Sequence, residues 1–312
     1  MEFLKALEAL RTPFLDAFFS VFTYLGDELT LTAVVLIMLW CFDKKMGYRL
    51  LLINLAGNGI NLFLKSVFVV PRPWVRDPSL SVVEGAKAGA GGYSFPSGHT
   101  QSASVLFGSL ALFLKRRWLT IVCIACILLT AFSRMYLGVH TPADVCVSLL
   151  TGVGTVMLYG WLFDLSDKNP KLNSVLKLAG AAFLLLLLAF LSFVPAPATA
   201  IEEYTREGIA NAYKLAGTMA GLLIAWHVDE RYLKYENSAV WWAQVLKCAL
   251  GLGLVMLIRS VCKAPLASLF NGHAVADAVR YLLMVVFAGI VWPLSFKFWS
   301  RLSGKRELSK NI

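Results

Sequence analysis

Long apolar runs recur along the whole chain and are separated by short polar connections. The run from Ala181 to Leu191 is continuous and lacks the alternation of a half-buried strand. Lipid offers the backbone no hydrogen bonds, so a segment that crosses a bilayer must be a helix of about 20 residues or a barrel strand. The pattern therefore predicts an all-α fold, a polytopic bundle of membrane helices.

Nine apolar stretches are candidate transmembrane helices. They lie approximately at residues 22–42, 50–70, 97–114, 118–135, 142–163, 175–195, 208–226, 240–260 and 278–298. Residues 3–19 have the pattern of an amphipathic helix at the membrane interface, which can run into the first span. We expect two parts. Residues 1–170 form a catalytic core of the interfacial helix and about five transmembrane helices, and residues 171–312 form a transmembrane extension of about four helices.

Composition and charge agree with a membrane protein. Charged residues make up 15% of the chain, against roughly a quarter in a soluble domain. The net charge of +10 is spread over short basic clusters between apolar runs, which indicates membrane lipids and not nucleic acid as partners. The six cysteines lie mostly inside apolar segments without paired spacing. We therefore expect neither disulfides nor a metal site, and no cofactor.

The distribution of basic residues predicts the orientation. Nine spans put the termini on opposite faces, and the loops on the C-terminal side hold 16 Lys and Arg residues against 9 on the other side once three candidate site residues are set aside. The last basic cluster comprises Lys297, Arg301, Lys305, Arg306 and Lys310. The positive-inside rule places this end in the cytoplasm. We expect a multi-pass protein of a bacterial inner or plasma membrane, with its active site facing outward or the periplasm.

Three connections on the non-cytoplasmic side carry polar residues that are costly at a membrane edge. The first contains Lys65 and Arg72, the second runs from Pro96 to His99, and the third runs from Ser133 to Asp144. Each lies at the end of a different apolar segment, at a similar predicted depth. Ionisable residues in such places indicate function.

The cations and the helix start in these connections suit a phosphate ester. The transition state of phosphoryl transfer spreads negative charge over oxygens, which fixed cations stabilise. Lys65, Arg72 and Arg134 supply three cations, two of them with the planar fork that fits phosphate. Ser97 and Gly98 add a hydroxyl and an accessible backbone at a predicted helix N-terminus, which attracts anions.

The histidines supply the reactive groups. His99 can donate a proton to a leaving alkoxide. The string Thr141 to Asp144 has the pattern of a helix N-cap, so the Asp144 carboxylate can reach back toward His140. A carboxylate on one imidazole nitrogen fixes the tautomer and leaves the other nitrogen free to attack.

Together the three strings resemble the signature of the type-2 phosphatidic acid phosphatase family, which also includes vanadium haloperoxidases and glucose-6-phosphatase. The family pattern K-x6-R-P, P-S-G-H, S-R-x5-H-x3-D is complete and in order here, within about residues 50–165. The resemblance implies that His140 is the nucleophile, His99 the general acid and Asp144 the residue that orients His140. It also implies a set of phosphate-binding residues, namely Lys65, Arg72, Ser97, Gly98 and Arg134.

The resemblance implies a phosphoric monoester or pyrophosphate hydrolase of the membrane. Its substrate would be a lipid phosphate such as phosphatidate, a prenyl (pyro)phosphate or a sphingoid phosphate, hydrolysed through a phosphohistidine without a metal. A layout of nine spans also resembles glucose-6-phosphatase, which leaves a soluble ester such as a sugar phosphate as an alternative. A further alternative is an anion transporter with discontinuous helices around Gly57, Gly59 and Pro71. That alternative does not explain His140 beside Asp144.

Overall fold

The computed structural model describes residues 1–302, and all of its regular elements are helical. The prediction of an all-helical protein is confirmed for this part of the chain. Three members of the last basic cluster, Lys305, Arg306 and Lys310, lie outside the described residues. The helices are α1 (Glu2–Ala9), α2 (Pro13–Thr23), α3 (Glu28–Ile37), α4 (Lys44–Phe68), α5 (Pro73–Arg76), α6 (Gly98–Leu114), α7 (Arg117–Tyr136), α8 (Pro142–Lys168), α9 (Pro170–Phe193), α10 (Glu202–Val228), α11 (Trp241–Val261), α12 (Lys263–Leu269), α13 (Val275–Val286) and α14 (Phe296–Arg301).

Within residues 1–302, six helical segments are long and apolar enough to cross a membrane. They are Lys44–Arg76, Arg117–Tyr136, Pro142–Lys168, Pro170–Phe193, Trp241–Leu269 and Val275–Arg301. A bent pair, Pro13–Gly26 and Glu28–Phe42, is a seventh candidate, and its two parts differ in direction by 52°. The remaining two predicted stretches coincide with α6, which has only 17 residues, and with α10, which starts with Glu202 and Glu203. Neither helix is among these candidate spans. The protein is therefore a multi-pass membrane protein.

The prediction of one helix over residues 3–19 is wrong, because the chain breaks at residues 10–12. Helix α2 starts at Pro13, and the hydroxyl of Thr12 accepts a hydrogen bond from the Leu15 amide at 3.3 Å. Proline has no amide hydrogen and disfavours helical geometry in the residue before it, so α1 cannot continue into α2. The Arg11 side chain in the break donates hydrogen bonds to the carbonyl oxygens of Tyr136 and Ser81.

Helix α4 is continuous through its two glycines. It runs unbroken from Lys44 to Phe68, so it lacks the discontinuity at Gly57 and Gly59 that would fit the transporter alternative, and it ends before Pro71. A Cβ on Gly59 would lie 2.6 Å from the Phe183 ring of α9. The glycines therefore serve close packing of helices and do not interrupt the span.

The chain folds as two compact units that are each discontinuous in sequence. The first comprises Met1–Leu31 and Ile53–Ala212 and contains all three motifs, whereas the second comprises Thr32–Leu52 and the chain from Tyr213 onward. In the second unit the buried Lys247 ammonium donates to the carbonyl oxygen of Trp40 at 2.8 Å. The predicted division near residue 170 falls inside the first unit and remains a prediction about function.

Candidate active site

The second and third motifs meet where α6 and α8 begin. The Ser97 amide donates to the carbonyl oxygen of Asp144 at 3.1 Å. The Ser148 hydroxyl donates to the carbonyl oxygen of Ser97 at 2.8 Å. The first motif joins them through Arg72, whose Nη1 lies 2.8 Å from Nε2 of His140. All three motifs therefore converge within the first unit.

A tight turn between α7 and α8 carries His140. Gly138 has a φ of 80°, which favours glycine because a Cβ would be strained in this region. The amides of Val139 and His140 both donate to the carbonyl oxygen of Arg134, at 3.1 and 3.2 Å. The backbone of the phosphate-binding candidate Arg134 thus fixes the position of the candidate nucleophile.

Asp144 lies beside His140 at the start of α8. It forms a capping box with Thr141, whose amide donates to Asp144 Oδ2 at 2.8 Å. The same oxygen accepts a hydrogen bond from the Ser94 hydroxyl at 2.6 Å and lies 3.4 Å from Nδ1 of His140. The exposed fractions of His140 and Asp144 are 1% and 2%. The carboxylate is thus held in a defined position against one imidazole nitrogen.

Arg72 contacts the other imidazole nitrogen. A guanidinium has only donors, so Nε2 of His140 is the acceptor and the proton of the neutral ring is on Nδ1, toward Asp144. Burial, together with Arg72, Arg134 and Lys65, holds the pKa of His140 well below its ordinary value. The histidine is therefore neutral, the form in which Nε2 has a lone pair for attack.

Backbone carbonyl groups of the glycine-rich loop, residues 85–92, accept hydrogen bonds from Arg72 and Arg134. Nε of Arg72 donates to Gly92 at 2.9 Å, and Nη2 donates to Gly91. Nη2 of Arg134 lies 3.4 Å from the carbonyl oxygen of Gly89. This loop thus positions the two arginines.

Arg134 and Lys65 complete the group of cations. Arg134 is 1% exposed, and its Nη1 donates to the Thr23 hydroxyl at 2.6 Å. Its buried Nε has no hydrogen-bond partner among residues 1–302. Lys65 donates to the carbonyl oxygen of Tyr93. A buried donor without a partner is costly, and an anion beside it would satisfy it.

Ser97, Gly98 and His99 lie in the first turn of α6. The Ser97 hydroxyl caps the helix and accepts hydrogen bonds from the amide and hydroxyl of Thr100, at 3.4 and 3.0 Å. Gly98 is the first residue of α6. Nε2 of His99 lies 4.0 Å from Oδ2 of Asp27. All eight predicted site residues thus lie in the same region of the first unit, while their catalytic roles remain predictions.

Three side chains of this region were not predicted from the sequence. Ser94 donates to Asp144, Thr23 accepts from Arg134, and Asp27 faces His99. Thr23 and Ser94 are ordinary polar residues without a distinguishing pattern. Asp27 offered a signal, because it is an acidic residue within a predicted membrane span. Among the residues that the structure describes, no group of three or more His, Cys, Asp or Glu side chains is arranged to hold a metal ion.

A cavity opens beside Lys65. It lies between the end of α4, the loop at 91–93, the end of α9 and the start of α10. Its apolar wall includes Leu62, Val69, Phe190, Leu191 and Val194, and its polar lining includes Lys65, Tyr204, Glu207 and Asn211. The cavity therefore combines a cation with a surface that suits an alkyl chain.

An imidazole–carboxylate pair surrounded by cations, at helix ends of a multi-pass bundle, defines a membrane hydrolase of phosphate esters. The PAP2 superfamily matches residues 47–167, and the transmembrane extension of PAP2 superfamily phosphatases matches residues 213–305. The chain belongs to the PAP2 superfamily. The resemblance to type-2 phosphatidic acid phosphatases is thereby confirmed.

Relatives of the chain are lipid phosphate hydrolases. A probable sphingosine-1-phosphate phosphatase of Dictyostelium discoideum is 22% identical over 306 residues, which cover 94% of this chain and 70% of that protein. The undecaprenyl-diphosphatase BcrC of Bacillus subtilis is 30% identical over 42% of this chain and 65% of its own length. A lipid A 4'-phosphatase of Bacteroides thetaiotaomicron is 29% identical over 52% of this chain and 74% of its own length.

Proposed function

We propose that this protein is an integral membrane phosphatase that hydrolyses a lipid phosphate through a phosphohistidine at His140, without a metal. The substrate class is a phosphatidate, a prenyl (pyro)phosphate or a sphingoid phosphate. The observation that carries the proposal is the geometry of His140, with Asp144 at Nδ1 and Arg72 at Nε2. The names of the relatives, which include a sphingosine-1-phosphate phosphatase and an undecaprenyl-diphosphatase, support a lipid substrate.

In the first step, Nε2 of His140 attacks phosphorus and the bond from phosphorus to the ester oxygen breaks. His99 transfers a proton to the departing oxygen, so the leaving group departs as a neutral alcohol. Asp144 stabilises the positive charge that develops on the His140 ring. Arg72 hydrogen-bonds Nε2 in the free enzyme, so its guanidinium turns to a phosphoryl oxygen as the substrate binds.

In the second step, water attacks the phosphoryl group and the bond between phosphorus and Nε2 breaks. His99, now neutral, accepts a proton from the water. Inorganic phosphate leaves, and His140 returns to its neutral form. Lys65, Arg72 and Arg134 neutralise the oxygens in both transition states, and the unpartnered Nε of Arg134 is a donor suited to this task.

The cavity beside Lys65 favours a lipid over a soluble ester. Its apolar wall, formed largely by Phe190, Leu191 and Val194, lies opposite a polar lining that includes Lys65, and a soluble sugar ester would leave this wall without an apolar partner. An alkyl chain buries this surface, with a gain of roughly 0.8 kcal/mol for each CH₂ group. The soluble ester remains the second candidate and is tested beside the lipid.

The proposal includes nine membrane spans with the site on the non-cytoplasmic face. Eight of the nine predicted stretches coincide with helical segments and the first coincides with the bent pair, while the excess of basic residues on the C-terminal side supports a cytoplasmic C-terminus. Intact, right-side-out vesicles should hydrolyse an external, membrane-impermeant phosphate ester. If hydrolysis requires permeabilisation by detergent, the active site faces the cytoplasm and the proposed orientation is wrong.

The deciding experiment measures phosphate release by the purified protein in detergent with a chelator. The substrates are phosphatidate, a prenyl diphosphate, a sphingoid phosphate and glucose 6-phosphate. We expect turnover of at least one lipid, inhibition by vanadate and no turnover by His140→Ala. With a ³²P-labelled substrate, the wild-type enzyme quenched in alkaline denaturing detergent should retain label that is stable to alkali and labile to acid.

His227→Ala is the matched control, because this histidine is exposed on α10. It should keep wild-type turnover and labelling. Turnover that persists in His140→Ala would eliminate the proposed nucleophile. A requirement for a divalent ion would contradict the metal-free mechanism, and activity on glucose 6-phosphate alone would favour the second candidate.

A further inference from the structure

The break between α2 and α3 packs against the start of α6. Gly26 is buried there, and a Cβ on it would lie 2.3 Å from the carbonyl oxygen of His99. Three residues earlier, Thr23 accepts the hydrogen bond from Arg134. The N-terminal bent pair therefore adds a fourth segment to the site, beyond the three motifs.

Asp27 is the acidic residue of this break, and its two carboxylate oxygens have different surroundings. Oδ1 accepts a hydrogen bond from the Leu29 amide at 2.8 Å, which anchors the side chain at the start of α3. Oδ2 lies 4.0 Å from Nε2 of His99. The anchored carboxylate is thus directed at the imidazole, and a small side-chain adjustment would close a hydrogen bond. Such contacts are often long in free enzymes and shorten when substrate binds.

A general acid at His99 must carry a proton, and a nearby negative charge favours that form. Burial and the cations Arg134, Arg72 and Lys65 disfavour it. Asp144, the other carboxylate of the site, lies against His140. Among residues 1–302, Asp27 is the carboxylate found within 4.0 Å of His99. A carboxylate hydrogen-bonded to this imidazole would favour the protonated ring and oppose the effect of burial and of the cations.

We infer that Asp27 is a positioning residue for His99, which orients its imidazole and favours its protonated form for proton donation to the leaving group. Asp27 accepts the hydrogen bond from Nε2, and the proton on Nδ1 moves to the ester oxygen as the bond to phosphorus breaks. Asp27 keeps its negative charge throughout. In the second half-reaction the same nitrogen takes the proton from water. The inference rests on the proposed function.

The test uses the dependence of rate on the leaving group. A long-chain alkyl phosphate needs a proton on its departing oxygen, whereas 4-nitrophenyl phosphate has a stable leaving group and does not. We expect Asp27→Asn to lower kcat at least tenfold on dodecyl phosphate and less than about twofold on 4-nitrophenyl phosphate. His99→Asn should show the same selectivity, and the double variant should be no slower than His99→Asn alone.

Asp16→Asn is the matched control, because Asp16 lies on α2 and accepts a hydrogen bond from the Tyr136 hydroxyl at 2.8 Å. It should leave the ratio of the two rates unchanged. Asp27→Glu, which keeps the charge, should recover part of the alkyl phosphatase rate. Elution as a monodisperse species in detergent establishes that each variant is folded.

Two results would overturn the inference. If His99→Asn is selective for the leaving group while Asp27→Asn lowers both rates equally or neither, Asp27 does not act through His99, and the proposed function stands. If the wild-type protein hydrolyses no phosphate ester, the proposed function fails and the inference fails with it.

Discussion

Arg72 places a guanidinium nitrogen 2.8 Å from Nε2 of His140 and is itself held by the carbonyl groups of Gly91 and Gly92. The same guanidinium also donates to the carbonyl oxygen of Val139 at 3.2 Å, so it connects the loop to the candidate nucleophile, and we propose that it binds a phosphoryl oxygen of the substrate. A lysine cannot reproduce this fork, because its ammonium has no second, coplanar donor group.

We expect Arg72→Lys to lower kcat/KM by about 100-fold, the usual effect of removing one aligned donor from a transition state. Arg76→Lys is the control, because Arg76 is exposed at the end of α5, one turn further on. Steady-state kinetics on the best lipid substrate measures both. An effect below about threefold in Arg72→Lys would show that the fork is not needed.

Asp144 offers a second prediction through its contact with Nδ1 of His140. An amide in place of the carboxylate can donate to Nδ1 and stabilise the wrong tautomer. We expect Asp144→Asn to lower kcat on the order of 10³-fold or more. Ser94→Ala, which removes one hydrogen bond to the same oxygen, should cost about tenfold.

The control for Asp144→Asn is Asp164→Asn, on the exposed side of the same helix α8. It should keep wild-type kcat. If Asp144→Asn retained more than a tenth of kcat, Asp144 would be a helix cap and not the residue that orients His140.

The contact between His140 and Asp144 was predictable from the sequence, because the two residues are four positions apart at the start of a helix. Thr141, Pro142 and Asp144 fix that start, so their geometry follows from local rules. The contributions of Thr23 and Asp27 depend on packing between segments more than 70 residues apart in sequence. No periodicity encodes such contacts.

The error over residues 3–19 and the undecided role of two glycines have the same origin. The apolar pattern over residues 3–19 is compatible with one helix. Pro13 nevertheless starts a second helix, because proline is favoured at a first helical position and disfavours helical geometry in the residue before it. Gly57 and Gly59 were compatible with a broken helix or with close packing. The close approach of Gly59 to Phe183 shows that the glycine serves helix packing. This contact joins distant parts of the chain and could not be predicted from the sequence.

The glycine-rich loop gives a third prediction. Gly92 has a φ of 62°, a conformation that is strained for a residue with a Cβ, and its carbonyl oxygen accepts a hydrogen bond from Nε of Arg72 at 2.9 Å. Gly92→Ala therefore strains the loop that holds Arg72. A displacement of about 1 Å at a catalytic group can cost roughly 100-fold in rate. We expect Gly92→Ala to lower kcat/KM at least tenfold, measured on the same lipid substrate.

Gly89→Ala is the matched control three residues earlier in the loop, because nothing lies within 4 Å of the position of its Cβ. It should remain within about twofold of wild type. Equal losses in both variants would mean that the loop tolerates no side chain at all, and the backbone conformation of Gly92 would lose its importance.

The last prediction concerns the protonation of His140. Its pKa is held well below the ordinary value of about 6.5, so the neutral ring persists as pH falls through 6.5 and is lost only below the lower pKa. Diethyl pyrocarbonate acylates neutral imidazole. In His99→Asn, loss of 4-nitrophenyl phosphatase activity should report on His140, with protection by inorganic phosphate. We expect the inactivation rate constant, corrected for reagent hydrolysis, to change less than about twofold between pH 7.5 and 5.5. A free imidazole would lose about tenfold over that range, and such a fall here would show that the surrounding cations do not hold His140 neutral.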